Sequence, residues 1–141
     1  MVELIRIGQL EIRFLQTKEQ TRGALDMFEF AVPAKARVPV AHYHRDYDEM
    51  IYGLSGVLTW RLDGARHEVG PGETLFIPRG AVHHFANLHE ETALALAVLT
   101  PGLVGPAYFR ELATLIAPGV PPEPARVREV MLRHGLVPVP Y

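Results

Sequence analysis

The sequence predicts an all-β fold: an antiparallel sandwich or barrel followed by two short helices. Three observations predict it. From about Glu11 to Thr100 the chain breaks into short apolar runs bounded by turn residues. Within one such run, 57–62, Leu58, Trp60 and Leu62 alternate with Thr59 and Arg61, the period of a strand with one core face and one wetter face. After Thr100 the apolar spacing lengthens to three and four residues, which is the period of a helix.

The strands expected, in order, are 11–15, 25–32, 40–44, 49–54, 57–62, 74–77, 83–88 and 93–99, with Trp60 facing the interior. Asp63-Gly64, Gly70-Pro71-Gly72 and Pro78-Arg79-Gly80 supply turns between them, and Pro101-Gly102 closes the last strand. A helix over 106–117 then carries Phe109, Leu112, Leu115 and Ile116 on one stripe. Proline-rich 118–124 separates it from a second helix with Val127, Val130 and Met131, which ends at Gly135 with Arg133 and His134 in its last turn. Both stripes are aliphatic enough to be read as plain core covering on the barrel.

At 141 residues the chain suits one domain, 1–141, with the barrel over about 11–101 and the helical tail over about 106–135. Its 48% hydrophobic and 21% charged residues are ordinary for a globular core, which argues against disorder and against a membrane protein. A net charge of -2 without a basic run gives nucleic acid and anionic lipid nothing to bind. The absence of cysteine excludes disulfides and thiolate ligands, so any metal must be held by nitrogen and oxygen. The first residues lack a basic segment followed by a long apolar stretch, and a cytoplasmic location is the default expectation.

His42 and His44 lie two apart, so on an extended strand both imidazoles leave one face. Glu49 would fall on the opposite face of an uninterrupted strand, so Arg45 to Asp48 must bend the chain for it to join them. His83, Phe85 and Asn87 share a face on the strand after Pro78-Arg79-Gly80, while His84 faces away. Three imidazoles and a carboxylate would suit iron, manganese, nickel, copper, cobalt or zinc, and would leave up to two octahedral positions open. Each residue also has a plainer reading. A single histidine is more often a hydrogen-bonded core or surface residue, and Glu49 could be a solvated strand residue paired with Arg45 or Arg79.

The longer pattern resembles the cupin superfamily, whose first motif is G-x5-H-x-H-x3,4-E-x6-G and whose second is G-x5-P-x-G-x2-H-x3-N. His42, His44, Glu49 and Gly56 keep the first spacing, and Gly72, Pro78, Gly80, His83 and Asn87 fill the second. One position departs: Ala36 stands where the motif begins with glycine, which puts the local backbone of that turn in question. The resemblance covers about residues 25–101. It implies a double-stranded β-helix, or jelly roll, with one divalent transition metal on His42, His44, Glu49 and His83, commonly in a dimer. It also implies turns at Gly56, Gly72 and Gly80 and a structural Asn87.

By resemblance to small quercetinase-like cupins, the enzymatic reading is a metal-dependent dioxygenase acting on a chelating enol or hydroxy-carbonyl substrate. Glu49 would be its general base. Ile51, Trp60, Phe76 and Phe85 are the residues expected to form an apolar slot for that substrate, and Tyr47, Tyr52 and Arg79 could touch it. The competing reading is a non-catalytic module that binds or senses a small molecule. His67, His84, His89 and His134 have no partner at ligand spacing and are expected to be surface or structural residues. If Glu49 points inward, Met50 and Tyr52 point outward, an apolar face suited to a homodimer unless the terminal helices cover it.

Overall fold

The computed structural model describes residues 3–36, 40–116 and 121–139. Alternation begins at once: β1 (Glu3–Ile7) buries Ile5 and Ile7, and β2 (Leu10–Gln16) pairs with it and buries Leu10, Ile12 and Phe14. β3 (Asp26–Val32) continues the pattern with Asp26, Phe28, Phe30 and Val32 inward. The barrel proceeds through β4 (His42–His44), β5 (Asp48–Ser55), β6 (Leu58–Leu62), β7 (Ala65–Val69), β8 (Thr74–Ile77), β9 (His83–Ala86) and β10 (Ala93–Thr100). Two helices, α1 (Gly105–Leu115) and α2 (Pro124–Arg133), and a last strand, β11 (Leu136–Pro138), complete the described elements.

The strands form two antiparallel sheets, one ordered β1-β2-β3-β10-β5-β8 and the other β11-β4-β9-β6-β7. Their inner faces enclose Val32, Ile51, Leu58, Trp60 and Ile77, each almost wholly shielded from solvent. Burying a large apolar side chain of this kind stabilises the fold by about 1.5–3 kcal/mol. Aromatic rings run through the middle: Trp60 to Phe85 at 5.0 Å, Phe85 to Phe30 at 5.4 Å, and Phe28 to Phe109 of α1 at 5.0 Å.

Turn chemistry explains most of the connections. Asp63 and Gly64 have φ of 48° and 84°, the positive pair that a two-residue hairpin requires, and they join β6 to β7. At Gly53 the reason for glycine is close approach, since an added Cβ would lie 2.0 Å from the Gly70 carbonyl oxygen. Ala36 needs no glycine because the left-handed residue of its turn is Lys35, at φ 58°. Asn87 is a loop clamp: its amide donates to the carbonyls of Val32 and Glu91, and its oxygen accepts the His89 N–H.

Three strands exceed the sequence expectation: β1, β7 and β11. The expected strand 40–44 is shorter, with Val40 outside it and half exposed. Helix α1 covers 105–115 rather than 106–117, and residue 117 lies outside the described residues. Its start is held by Asp26, and Arg110 grips Glu3 of β1 through two hydrogen bonds of 2.6 and 2.8 Å. No helix of the described residues is long and apolar enough to cross a membrane.

Candidate metal centre

His42 and His44 come from β4, and His83 comes from β9, where its backbone pairs directly with His42. One ligand atom from each lies within 4.8 Å of the others. The Nε2 atoms of His42 and His44 are 3.2 Å apart. His42 Nδ1 sits 2.9 Å from the Val40 carbonyl and His83 Nδ1 sits 3.0 Å from the Ala81 carbonyl. A carbonyl only accepts, so each bond places the proton on Nδ1 and leaves the Nε2 lone pair facing the cluster. This donor set fits a divalent transition metal ion.

The local electrostatics favour the same state. Burial, and next the neighbouring His83, push the His42 imidazole down to about 3, against a smaller opposing effect of the Val40 carbonyl. Burial, with His42 and His83 adding to it, holds His44 still lower. Both rings are therefore neutral near pH 7, the form in which imidazole binds a metal.

The bend from Arg45 to Tyr47 turns the chain into β5 with Glu49 inward and Met50 and Tyr52 outward. The Glu49 Oε1 atom is 3.5 Å from His83 Nε2 and 3.7 Å from His44 Nδ1. With His44 neutral, its contact is a close approach rather than an ion pair. Neither candidate arginine pairs with Glu49: Arg79 donates to Asp48 from its backbone and its guanidinium, and Arg45 lies beside Asp46. The alternative of a solvated Glu49 also fails, because the residue is buried.

The histidines open on a cavity that is itself open to solvent at its mouth. Phe28, Phe30, Trp60 and Phe85 line the barrel side, and among the described residues no lysine or arginine lines it. The Trp60 indole N–H is buried without an acceptor among the described residues. Of the expected slot, Trp60 and Phe85 lie on this wall. Ile51 is wholly buried in the solid core, away from the lining. Phe76 requires correction: β5 and β8 pair with Met50 opposite Phe76, so the inward turn of Glu49 sends Phe76 to the outer face, where it is 51% exposed.

Sequence reasoning missed the far wall. Tyr108, Phe109 and Leu112 of α1 line the cavity, as does Leu136 of β11, so the helical stripe read as plain covering is also part of the pocket. Tyr47 belongs there as well, with its ring on His44 and its phenol held protonated chiefly by burial, then by Tyr108 and Glu49. Unlike the α1 residues, Tyr47 is among the residues expected from the sequence to touch a substrate. Tyr52 is exposed and Arg79 is occupied by Asp48. His67, His84, His89 and His134 stay outside the three-histidine cluster, His89 beside Glu68 and His134 beside Glu111.

A family model described as the cupin domain matches residues 28–99. Quercetin 2,3-dioxygenase of Bacillus subtilis is 32% identical over 100 residues, 71% of this chain and 29% of that protein. An uncharacterised protein of Aquifex aeolicus is 36% identical over 66 residues, 47% of this chain and 54% of that protein. The chain thus spans about three tenths of one curated relative and about half of the other. Among solved structures, one described as a predicted oxalate decarboxylase from Thermotoga maritima superposes with a TM-score of 0.64 at 21% identity, over 72% of this chain and 92% of that one. At that identity the likeness carries the fold alone.

Proposed function

Because the chain belongs to the cupin family, we propose that it holds one divalent transition metal on His42, His44, Glu49 and His83 and acts as a dioxygenase on a small chelating substrate. The substrate class is an enol or hydroxy-carbonyl compound with an apolar, flavonol-like body. The observation that carries this reading is the convergence of three imidazoles, His44 and His83 buried and His42 half-buried, two of them with fixed tautomers, at one end of an aromatic cavity. Similarity to a quercetin dioxygenase over 100 residues supports the same class.

A divalent ion on these ligands would supply Lewis acidity toward a pair of substrate oxygens and open positions for oxygen and substrate. The rest falls to the chain. Glu49, buried and without an arginine partner among the described residues, takes the proton of the substrate hydroxyl. Trp60, Phe85 and Phe30 exclude water and hold an apolar ring in place. An apolar lining of this kind among the described residues favours a ligand with a single chelating end.

Elemental analysis of protein purified without a histidine tag is the first test, with one equivalent of metal per chain expected. Replacing His42 and His44 together by alanine should remove the metal and leave a folded barrel by circular dichroism, because the core is spread over both sheets. Oxygen uptake by the metal-loaded protein on flavonols, enediols and β-diketones then tests the activity. Tight binding of such compounds with no uptake would replace the dioxygenase by a sensing or binding module.

A further inference from the structure

We propose that the carboxy-terminal strand is a working part of the metal site and that Tyr47 is the positioning residue joining them, so that tail docking and metal binding stabilise each other. The inference rests on the metal reading above.

The backbone that carries His42 and His44 has fewer partners in the barrel than in the tail, the Gly80 N–H to the His44 carbonyl at 2.8 Å being one of the barrel's. Among the described residues, β4 meets β9 through one pair, His42 with His83. On its other edge all three residues of β4 pair with β11: His44 with Leu136, Tyr43 with Val137, and His42 with Pro138. Two flanking bonds extend that ladder, Arg45 N–H to the Gly135 carbonyl and Val139 N–H to the Ala41 carbonyl, both 2.9 Å. The tail therefore fixes the strand of two ligands more extensively than the neighbouring barrel strand does.

Tyr47 ties the side chains in the same direction. Its ring stacks on His44 with centroids 4.5 Å apart and planes 28° from parallel, and its hydroxyl donates to the His134 carbonyl at 3.1 Å. Gly135, at φ 82°, lets the chain pass there, since an added Cβ would stand 3.3 Å from the Tyr47 ring. His44 is also the imidazole whose Nδ1 has no supporting hydrogen bond among the described residues. Its Nδ1 is buried and unpartnered, whereas those of His42 and His83 rest on carbonyls. The stacked ring is thus one of the contacts that orient His44, beside Glu49 and the other two imidazoles, and what holds that ring is the end of α2. The tail lies outside residues 28–99, so this support belongs to the chain beyond the family-matching segment. Linkage makes the effect reciprocal: a tail that favours the metal is favoured by it to the same degree.

The test uses Co²⁺ as the probe on the full-length, metal-stripped protein, with hydrogen exchange and the visible cobalt spectrum as readouts. Saturating Co²⁺ should slow exchange of the Val137 and Val139 amides, which face β4, by roughly tenfold or more. The amides of β7, at the opposite edge of the same sheet, should not change. Tyr47→Phe, which keeps the stack and loses the hydroxyl, should weaken Co²⁺ binding modestly. Tyr47→Leu should weaken it by roughly tenfold or more, the scale of a lost supporting partner, with shifted cobalt bands. Stoichiometric Co²⁺ binding with unchanged tail exchange would overturn the coupling and leave the metal reading standing. Wild-type affinity and spectrum in Tyr47→Leu would overturn the role of Tyr47. If Tyr47→Leu fails to fold, the exchange experiment and Tyr47→Phe decide the matter. Absence of stoichiometric Co²⁺ binding to the wild type would overturn the metal reading, and the coupling with it.

Discussion

Asp26, buried at the start of β3, accepts the backbone N–H of Gly105 at 3.1 Å and so anchors the first turn of α1. The same oxygen accepts the Val104 N–H, also at 3.1 Å, and the other accepts the Lys18 N–H at 2.9 Å. One side chain thus satisfies three donors and fixes the helix that walls the cavity. Asp26→Ala should destabilise the protein by about 3 kcal/mol, read as a lowered midpoint in urea, because these donors lose their acceptor. A midpoint equal to that of the wild type would remove Asp26 from any structural account of α1.

Glu49→Gln separates a base from a ligand. It keeps the size and one oxygen donor but loses the basic lone pair. Three imidazoles should retain the metal more weakly, and turnover at saturating metal should fall roughly a hundredfold or more, the scale of a lost general base. Turnover equal to the wild type would leave Glu49 as a tuning ligand only.

Acid should destabilise the metal-free protein. His42 and His44 have folded values held below the ordinary 6.5, so the unfolded chain binds more protons as pH falls below about 6.5. The sign follows: stability is full above that value and declines on acidification toward about 3 for His42, by at most about 1.4 kcal/mol per pH unit for each group. Thermal midpoints of the stripped protein at pH 7.5 and 5.5 measure it. A double His42→Ala, His44→Ala variant should show a flatter profile, and an equally steep one would assign the acid sensitivity to other groups.

An apolar row crosses the outer face of the larger sheet, Met27 beside Val98, Val98 beside Met50, and Met50 beside Phe76. Met50 and Phe76 are 42% and 51% exposed, so the terminal helices do not cover this face. A two-fold homodimer is expected to bury it. Light scattering at micromolar concentration should give twice the chain mass, and Met50→Glu with Phe76→Glu should give the monomer. A monomeric wild type would refute the expectation.

The sequence by itself determined the period-two faces and the punctuation, because both are local. Alternation put His42 and His44 on one side of a strand, and Asp63-Gly64 and Pro78-Arg79-Gly80 marked turns by backbone preferences that no distant contact is needed to reveal. Spacing then sufficed to recognise the cupin pattern, even though Ala36 replaces its first glycine. Other features had no local signature. Four of the five residues of β7 are exposed, so it lacks the apolar alternation that marks a strand, and β11 is three residues ending in proline. The outward face of Phe76 follows from its register against Met50, and a strand's own pattern cannot say which partner residue it will meet. The stripe on α1 announced an apolar face without naming what it covers. Only tertiary packing decided that this face walls the cavity, that Asp26 anchors its start, and that the tail pairs with the histidine strand. Those contacts join residues 78 to 96 positions apart, where chain topology rather than periodicity selects the neighbour.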